Sequence, residues 1–320
     1  MSTSHNLHRD AQASSHAPTF LRLRVLGRKL LALPGLRILR PVARRAMAVA
    51  EPPDQLSLQS LPSTPFTRRC NTLKILSANL WHDWPLHRHQ RQRLESFARL
   101  VEAEQADIVL LQEVARTAEL RVDEWLTQRL GMAYVYTRAN GHEAAIGFEE
   151  GLAVFSRLPL TAPRRRQLES GSNPFVHRLA LGSRIETACG GLWVFSVHLG
   201  IPRRQNSLQL ARLHNWVAHV AGNDSAVIGG DFNAAEHTSQ ISRAQRKWTD
   251  TFRHLHPTAD GATHELHWPW GNPLHRSRLD YIFLRPGEPR WIILEARHVD
   301  APGGGHSDHR AVIVRLTCPA

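Results

Sequence analysis

The chain has 320 residues, 42% hydrophobic and 21% charged, with a formal net charge of +12. That balance is the balance of a folded globular protein; it excludes wholesale disorder, collagen-like repeats and a coiled coil, and no stretch approaches the roughly 18 uninterrupted apolar residues of a membrane-spanning helix. Three cysteines, Cys70, Cys189 and Cys318, lie far apart without a Cys-x-x-Cys pair, so neither a zinc ribbon nor a dense disulfide framework is expected. Their scarcity suits a reducing cytoplasm, the favoured compartment, with a membrane-peripheral or exported chain left open.

The charge is unevenly spread. Residues 1–70 carry 11 basic and 3 acidic side chains, whereas residues 71–320 carry 29 and 25. The basic excess therefore describes an N-terminal extension more than the body. Only Lys29, Lys74 and Lys247 are lysine; arginine-favouring codon usage accounts for that as readily as a phosphate-binding surface does. Residues 1–20 are polar and read as disordered. Residues 21–50 alternate leucine-rich and arginine-rich pieces, broken by Pro34 and Pro41. They suit a basic segment lying on anionic lipid or another polyanion, a targeting peptide, or an unstructured terminus, the reading favoured here. Pro52, Pro53, Pro62 and Pro65 mark residues 51–70 as a linker. The expected organisation is thus a largely disordered extension and linker, 1–70, and a folded domain, 71–320.

From residue 71 short apolar runs predict strands at 73–79, 107–112, 151–156, 178–181, 183–187, 192–198, 226–230, 279–284, 291–297 and 311–316. Helices are expected around 94–101, over 117–130 ending at Gly131, and over 208–220 ending at Gly222. Many strands with a few interspersed helices indicate a layered α/β domain.

Polar residues recur where the apolar runs end: Asn79; Gln112-Glu113; His198; Asp231 and Asn233; Asp280; and Ser307-Asp308-His309 before the last run. Each has a structural alternative. Glu113 suits a helix start, Asp231 and Asn233 a turn, His198 a core position, and Ser307-Asp308 a turn after three glycines. Gathered at one edge of packed sheets, such carboxylates, amides and histidines form a hard-cation site. Oxygen ligands without thiolates favour magnesium, with manganese as an alternative.

In this order, and in the specific combination of GDFN with SDH, the chain resembles the endonuclease/exonuclease/phosphatase superfamily over roughly residues 73–316. The resemblance implies a four-layered α/β/β/α sandwich and metal-dependent phosphoester hydrolysis. Carried over residue by residue, it implies metal contacts for Asn79, Glu113 and Asp308, with Glu113 the main carboxylate. Asp231 would orient or deprotonate the attacking water and Asn233 would hold the phosphate. His309 would be the catalytic histidine, oriented by Asp280. His198 would be a second phosphate-facing histidine, with Glu150 as its carboxylate partner.

The substrate is less constrained. Val114-Ala115-Arg116 follows Glu113 where abasic-site endonucleases carry Thr or Ser and Lys, and the lysine- and arginine-rich motifs of inositol phosphatases are missing. A magnesium-dependent phosphodiesterase, nuclease-like and monomeric, is expected, with a sphingomyelinase-like lipid phosphodiesterase as the alternative and a non-catalytic binding module as a third reading. Two aromatic segments, Trp81–Pro85 and His264–Arg278 with Trp268 and Trp270, suit stacking on unpaired bases, insertion beside lipid headgroups, or loop packing. His267, His275, Arg276 and Arg278 are candidate phosphate contacts.

Overall fold

The computed structural model describes residues 40–51, 56–60, 71–170, 175–267, 273–301 and 305–319. It separates into two units, Met1–Glu51 and Pro52–Ala320. The described part of the first is one helix, α1 (Arg40–Ala50), with Pro41 in its first turn, where a missing N–H costs nothing. Residues 40–50 are therefore helical where an unstructured stretch was expected; residues 1–39 lie outside the described residues.

The second unit begins with β1 (Ser57–Gln59), β2 (Thr72–Asn79), α2 (Gln90–Glu104), β3 (Ile108–Thr117), α3 (Val122–Leu130), β4 (Ala133–His142), α4 (Glu143–Ile146) and β5 (Phe148–Ser156). It continues through β6 (Leu160–Ser170), β7 (His177–Thr187), β8 (Gly190–His198), α5 (Arg203–Ala221), β9 (Ser225–Asp231), α6 (Ser239–Gln245), β10 (Thr249–Asp250) and α7 (Thr251–Leu255). It closes with β11 (His264–His267), β12 (Pro273–Ser277), β13 (Asp280–Arg285), β14 (Ile292–Val299) and β15 (Ala311–Thr317). One sheet has the order β1-β4-β5-β3-β2-β15-β14 and the other β10-β13-β9-β8-β7-β6, while β11 and β12 pair by themselves.

Strand side chains alternate between faces, and here both faces are covered. On β2 and β3, Leu73, Ile75, Ile108 and Leu110 point into a core shared with Leu192, Val194 and Val227 of the other sheet. Their neighbours Leu76, Ala78, Val109 and Leu111 meet Leu94, Phe97, Val101 and Leu126 of α2 and α3. Across the second sheet, Trp193, Phe195, Val197 and Ile228 meet Leu210, Leu213 and Val217 of α5. Burial on two faces is why the sequence reads as near-continuous apolar runs rather than alternation. The result is the helix–sheet–sheet–helix layering that was expected. Each buried Leu or Phe side chain contributes about 1.5–3 kcal/mol relative to exposure.

Several boundaries differ from the sequence reading. Within the stretch read as linker, Ser57–Gln59 pairs with Tyr134–Tyr136 as an edge strand. Residues 117–121 belong to β3 and a loop, so α3 starts later than expected. β4, despite its buried Tyr134–Thr137 run, and the arginine-rich β6 were not anticipated. β7 runs unbroken through Gly182, where a Cβ would lie 2.5 Å from the ring of Phe195 on β8; the glycine makes room for that ring rather than ending a strand.

Cys189, in the turn before β8, is bonded to Cys318, just after β15, with Cα atoms 6.6 Å apart and a sequence separation of 129. The bond joins the two sheets at their margin. Such bonds persist in oxidising surroundings and are rare in a reducing cytoplasm. Breaking it as Cys189→Ser is expected to lower the free energy of unfolding by about 2–4 kcal/mol. Urea titrations with and without dithiothreitol check this, since wild type should respond to the reductant and the variant should not.

Candidate active site

The two sheets present their strand ends at one edge. In the first sheet, β2 and β3 run parallel with Asn79 beside Gln112. The β3–β5 register shifts between Leu111 and Val114, and Glu113 has φ +55°. A bulge at this point re-aims a side chain, and it turns Glu113 toward the cleft while Gln112 points between the sheets. Gln112 Nε2 donates to Ser196 Oγ (2.9 Å), which in turn donates to the carbonyl of Leu111 (2.8 Å). That buried bridge fixes the spacing of the sheets beside the site.

In the second sheet Asp231 lies level with His198 on one side and Asp280 on the other. Gly230, with φ +155°, lets β9 approach β8: a Cβ there would meet the Val197 carbonyl oxygen at 1.9 Å. The turn that follows puts Asn233 at φ +47°. Its backbone N–H donates to Asp231 Oδ1 (2.8 Å), and its amide donates to Asp231 Oδ2 (3.2 Å) and the Leu199 carbonyl (3.0 Å). Asn206 of α5 secures the loops after β8 and β9 together by donating to the carbonyls of Gly200 (2.8 Å) and Phe232 (2.7 Å).

One amide joins the two halves. Asn79 Nδ2 donates to Glu113 Oε1 (3.0 Å) and to Asp231 Oδ2 (3.2 Å). Opposite, Asp280 Oδ2 lies 2.7 Å from His309 Nδ1 and accepts a 2.7 Å hydrogen bond from Thr263 Oγ1. Ligand atoms of Asp231, Asp280 and His309 all fall within 4.8 Å of one another, and all three residues are buried. His198 Nε2 is 3.6 Å from Asp231 Oδ2. Sequence-predicted Asn79, Glu113, His198, Asp231, Asn233, Asp280 and His309 thus converge. Asp308 is exposed, accepts a hydrogen bond from Ser307 Oγ (3.1 Å), and groups with His264 and His309 rather than with Glu113. Glu150 accepts from Asn140 Nδ2 instead of pairing with His198.

Burial and charge set the protonation. Burial opposes a charge on His309, but the carboxylates of Asp280, Asp231 and Asp308 hold its pKa up at about 10. Burial and the adjacent Asp280 push Asp231 upward from the usual carboxylate range. His198 is pushed well below the ordinary histidine value by burial, then by Arg178 and His309. Burial also raises Glu150. The cluster therefore holds a protonated imidazole beside a carboxylate made more basic than usual.

Several residues had no assigned role in the sequence reading, which noted His82 only within the aromatic segment Trp81–Pro85. The His82 backbone N–H donates to Glu113 Oε2 (3.1 Å), and its ring Nε2 lies 3.5 Å from the same oxygen. Arg93 ties the loop after β2 to the loop before β15, donating through Nη1 to the carbonyls of Leu80 (2.9 Å), Trp81 (2.8 Å) and His306 (3.3 Å). Arg178, one residue into β7, affects both His198 and Glu150, and its Nε is buried without a partner. None of these carries a local motif; each is recognised only by what the fold brings beside it. Conversely, Arg116 is buried in a bidentate pair with Asp123 and lies 3.8 Å from the centre of the Tyr136 ring. Arg278 pairs with Asp250 and Glu236, and Arg276 with Asp260 and Glu265. The last two are thereby committed to ion pairs where phosphate contacts were anticipated. Trp268 and Trp270 lie outside the described residues, as does the side chain of His267.

The donors suit a hard divalent cation. Glu113 is an oriented and partly exposed carboxylate, and Asn79 supplies an amide beside it. Asp308 is a further acid facing solvent, and no thiolate is among these donors.

A sequence profile of the endonuclease/exonuclease/phosphatase family matches residues 76–309. Among curated proteins no sequence matches. Solved structures similar to this chain include a family protein from Leptotrichia buccalis, 19% identical with a TM-score of 0.64, covering 76% of this chain and 99% of that one. Another, from Beutenbergia cavernae, is 21% identical with a TM-score of 0.60 and covers 79% and 72%. A third is TDP2 from D. rerio in complex with single-strand DNA product, 15% identical with a TM-score of 0.61, covering 77% and 99%. At these identities the likeness establishes the fold. Members of the family are generally divalent-metal-dependent hydrolases of phosphoester bonds. Profile, layered sheets and the acids gathered at their edge agree: the chain belongs to the endonuclease/exonuclease/phosphatase family.

Proposed function

We propose that the protein is a magnesium-dependent phosphodiesterase acting on nucleic acid. The observation that carries this reading is the junction of Glu113 and Asp231, from facing sheets, through the single amide of Asn79, beside the Asp280–His309 pair. Glu113 and Asn79 would hold the cation, with manganese as an alternative, and Asp308, which groups with His264 and His309, would have to turn toward it to join them. A cation there supplies charge neutralisation on the phosphate oxygens and on the leaving oxygen.

The chain's own residues account for the proton movements. Asp231, its pKa raised by burial and by Asp280, accepts a proton from a water aimed at phosphorus. As the water oxygen bonds to phosphorus, the bond to the leaving oxygen breaks. Asn233 is held at the site by its own hydrogen bonds to Asp231 and Leu199 and would turn one amide hydrogen from them to the phosphate when substrate is bound. His309, charged and oriented by Asp280, presents an N–H donor where negative charge grows. His198 faces the phosphate as a neutral imidazole. Arg178, whose Nε lacks an internal partner, contributes positive charge beside His198. Glu150 remains a support held by Asn140. The proposed organisation keeps the catalytic body, which takes in the edge strand β1, distinct from the basic segment before Pro52, whose residues 21–50 are the candidate polyanion contact.

The single-strand DNA named for the TDP2 relative supports a nucleic-acid substrate, and so does Trp84, which is 54% exposed beside the site and packs at 5.6 Å on Phe148. One observation favours a lipid phosphodiester instead: Leu86, Phe175 and Ile201 on loops and Ile146 at the end of α4 are also exposed around the same strand ends. A hydrolysis panel of single- and double-stranded DNA, RNA and sphingomyelin vesicles, each with EDTA controls, separates the two.

Glu113→Ala, Asp231→Asn and His309→Ala are each expected to lower kcat by about 10²–10⁴-fold while circular dichroism stays unchanged; a fully active variant would remove that residue from the mechanism. Arg178→Gln is expected to cost about 10–100-fold in kcat/KM, the scale of a lost hydrogen bond to a charged group, mostly through KM. Trp84→Ala is expected to raise KM for single-stranded DNA roughly tenfold, in line with base–aromatic stacking, and to leave double-stranded substrate unchanged.

A further inference from the structure

We infer that His82 is a positioning residue that presents Glu113 to the divalent cation. This rests on the reading of Glu113 as the main metal carboxylate.

Glu113 has two oxygens, and each is held by the segment that follows β2. Asn79 donates to Oε1, and the backbone N–H of His82 donates to Oε2. The ring of His82 reaches the same Oε2, with Nε2 at 3.5 Å. Its tautomer follows from the neighbouring backbone. The N–H of Trp84 donates to His82 Nδ1 at 3.0 Å, so that nitrogen is an acceptor and the ring proton lies on Nε2, facing Glu113. At 3.5 Å the contact is long for a hydrogen bond; such contacts shorten when an active site is loaded. The ring is otherwise fixed by its edge-on packing on Phe148 at 5.1 Å, and the His82 carbonyl is bonded to the ring of His87 at 2.8 Å.

The arrangement has a cost that packing alone does not explain. Trp81, Asp83, His87 and His89 all adopt positive φ, between 48° and 52°, which side-chain-bearing residues rarely do. Strain of this kind collects at functional sites. The strained segment ends up wrapped against one carboxylate. Asp83, paired with Arg88 and with its pKa lowered to about 2, braces it from outside.

The consequence for metal binding is direct. A glutamate side chain has three rotatable bonds, and fixing it costs conformational entropy. Holding both oxygens in place before the cation arrives removes that cost. Each carboxylate oxygen has two lone pairs; the two His82 donors face Oε2, while Asn79 takes only one on Oε1 and leaves the other for a cation. An uncharged ring donor holds its oxygen without repelling the incoming positive charge, as a lysine or arginine would.

The test titrates metal-free, full-length protein with Mg2+ by calorimetry and measures the Mg2+ dependence of turnover in parallel. His82→Phe keeps a ring against Phe148 and removes the donor. It is expected to raise the Mg2+ Kd about tenfold, the usual effect of losing a partner of a ligating carboxylate, with kcat at saturating Mg2+ within about threefold of wild type. His82→Gln, whose amide N–H takes the place of ring Nε2–H, is expected to restore the Kd to within about threefold. Melting temperatures establish that both variants fold; if His82→Phe does not, His82→Ala carries the same expectation. Unchanged Mg2+ affinity in folded His82→Phe overturns the inference, as does His82→Gln binding as weakly as His82→Phe. Glu113→Gln keeps the two ideas apart: if it binds Mg2+ as tightly as wild type, Glu113 is not the main ligand and the underlying reading fails with it.

Discussion

The two hydrogens of the Asn79 amide hold this site together. Glu113 comes from one sheet and Asp231 from the other, and nothing in chain order relates them. Two carboxylates drawn close in a partly buried cleft repel each other, and burying either without partners is costly. A neutral amide that donates to both satisfies them without adding a charge. The Gln112–Ser196 bridge beneath it fixes the distance that the amide must span. Once that distance is set, the His198–Asp231–Asp280 row and the His309 imidazole fall into reach.

The backbone is arranged to reach this geometry. Regular strands alternate their side chains, so a strand end would send Gln112 and Glu113 to opposite faces. The bulge at Glu113 and the left-handed conformation of Asn233 break that alternation where it is needed. Gly230 allows the close approach of β9 to β8 that brings Asp231 level with His198. Two packed cores on either side of each sheet stabilise these local departures, so irregular backbone sits on a rigid support.

The arginines divide into two kinds. Arg116, Arg253 and Arg278 are paired with acids, and they fasten outer helices and loops to the sheets. Arg93 instead serves backbone carbonyls, linking the loops that carry Trp81 and His306. Arg178 differs in having no internal partner for Nε beside His198. A chain rich in arginine thus uses most of those near the site for architecture. Composition cannot sort them, because the same side chain serves either purpose and only its neighbours decide which.

The sequence determined the layered α/β class, the apolar runs of the central strands and the polar residues at their ends. Strand ends in packed sheets share an edge, so GDFN, SDH and the residues at 79, 113 and 198 were legible as one site. The reading of the sequence missed β4, whose apolar Tyr134–Tyr136 run is short, and β6, whose arginines mask its pairing, and the continuity of β7 through Gly182, which depends on the ring of Phe195. It offered Glu150 as a partner for His198, whereas the fold gives Asn140 to Glu150 and Asp231 to His198. His82, Asn140, Thr263 and Arg178 have no signature of their own. Their meaning lies in hydrogen bonds and electrostatic contacts with residues up to more than a hundred positions away. Local pattern records which side chains a strand buries; which side chains then meet across the cleft is decided by sheet register and by the spacing of the two sheets, and those exist only in the folded chain.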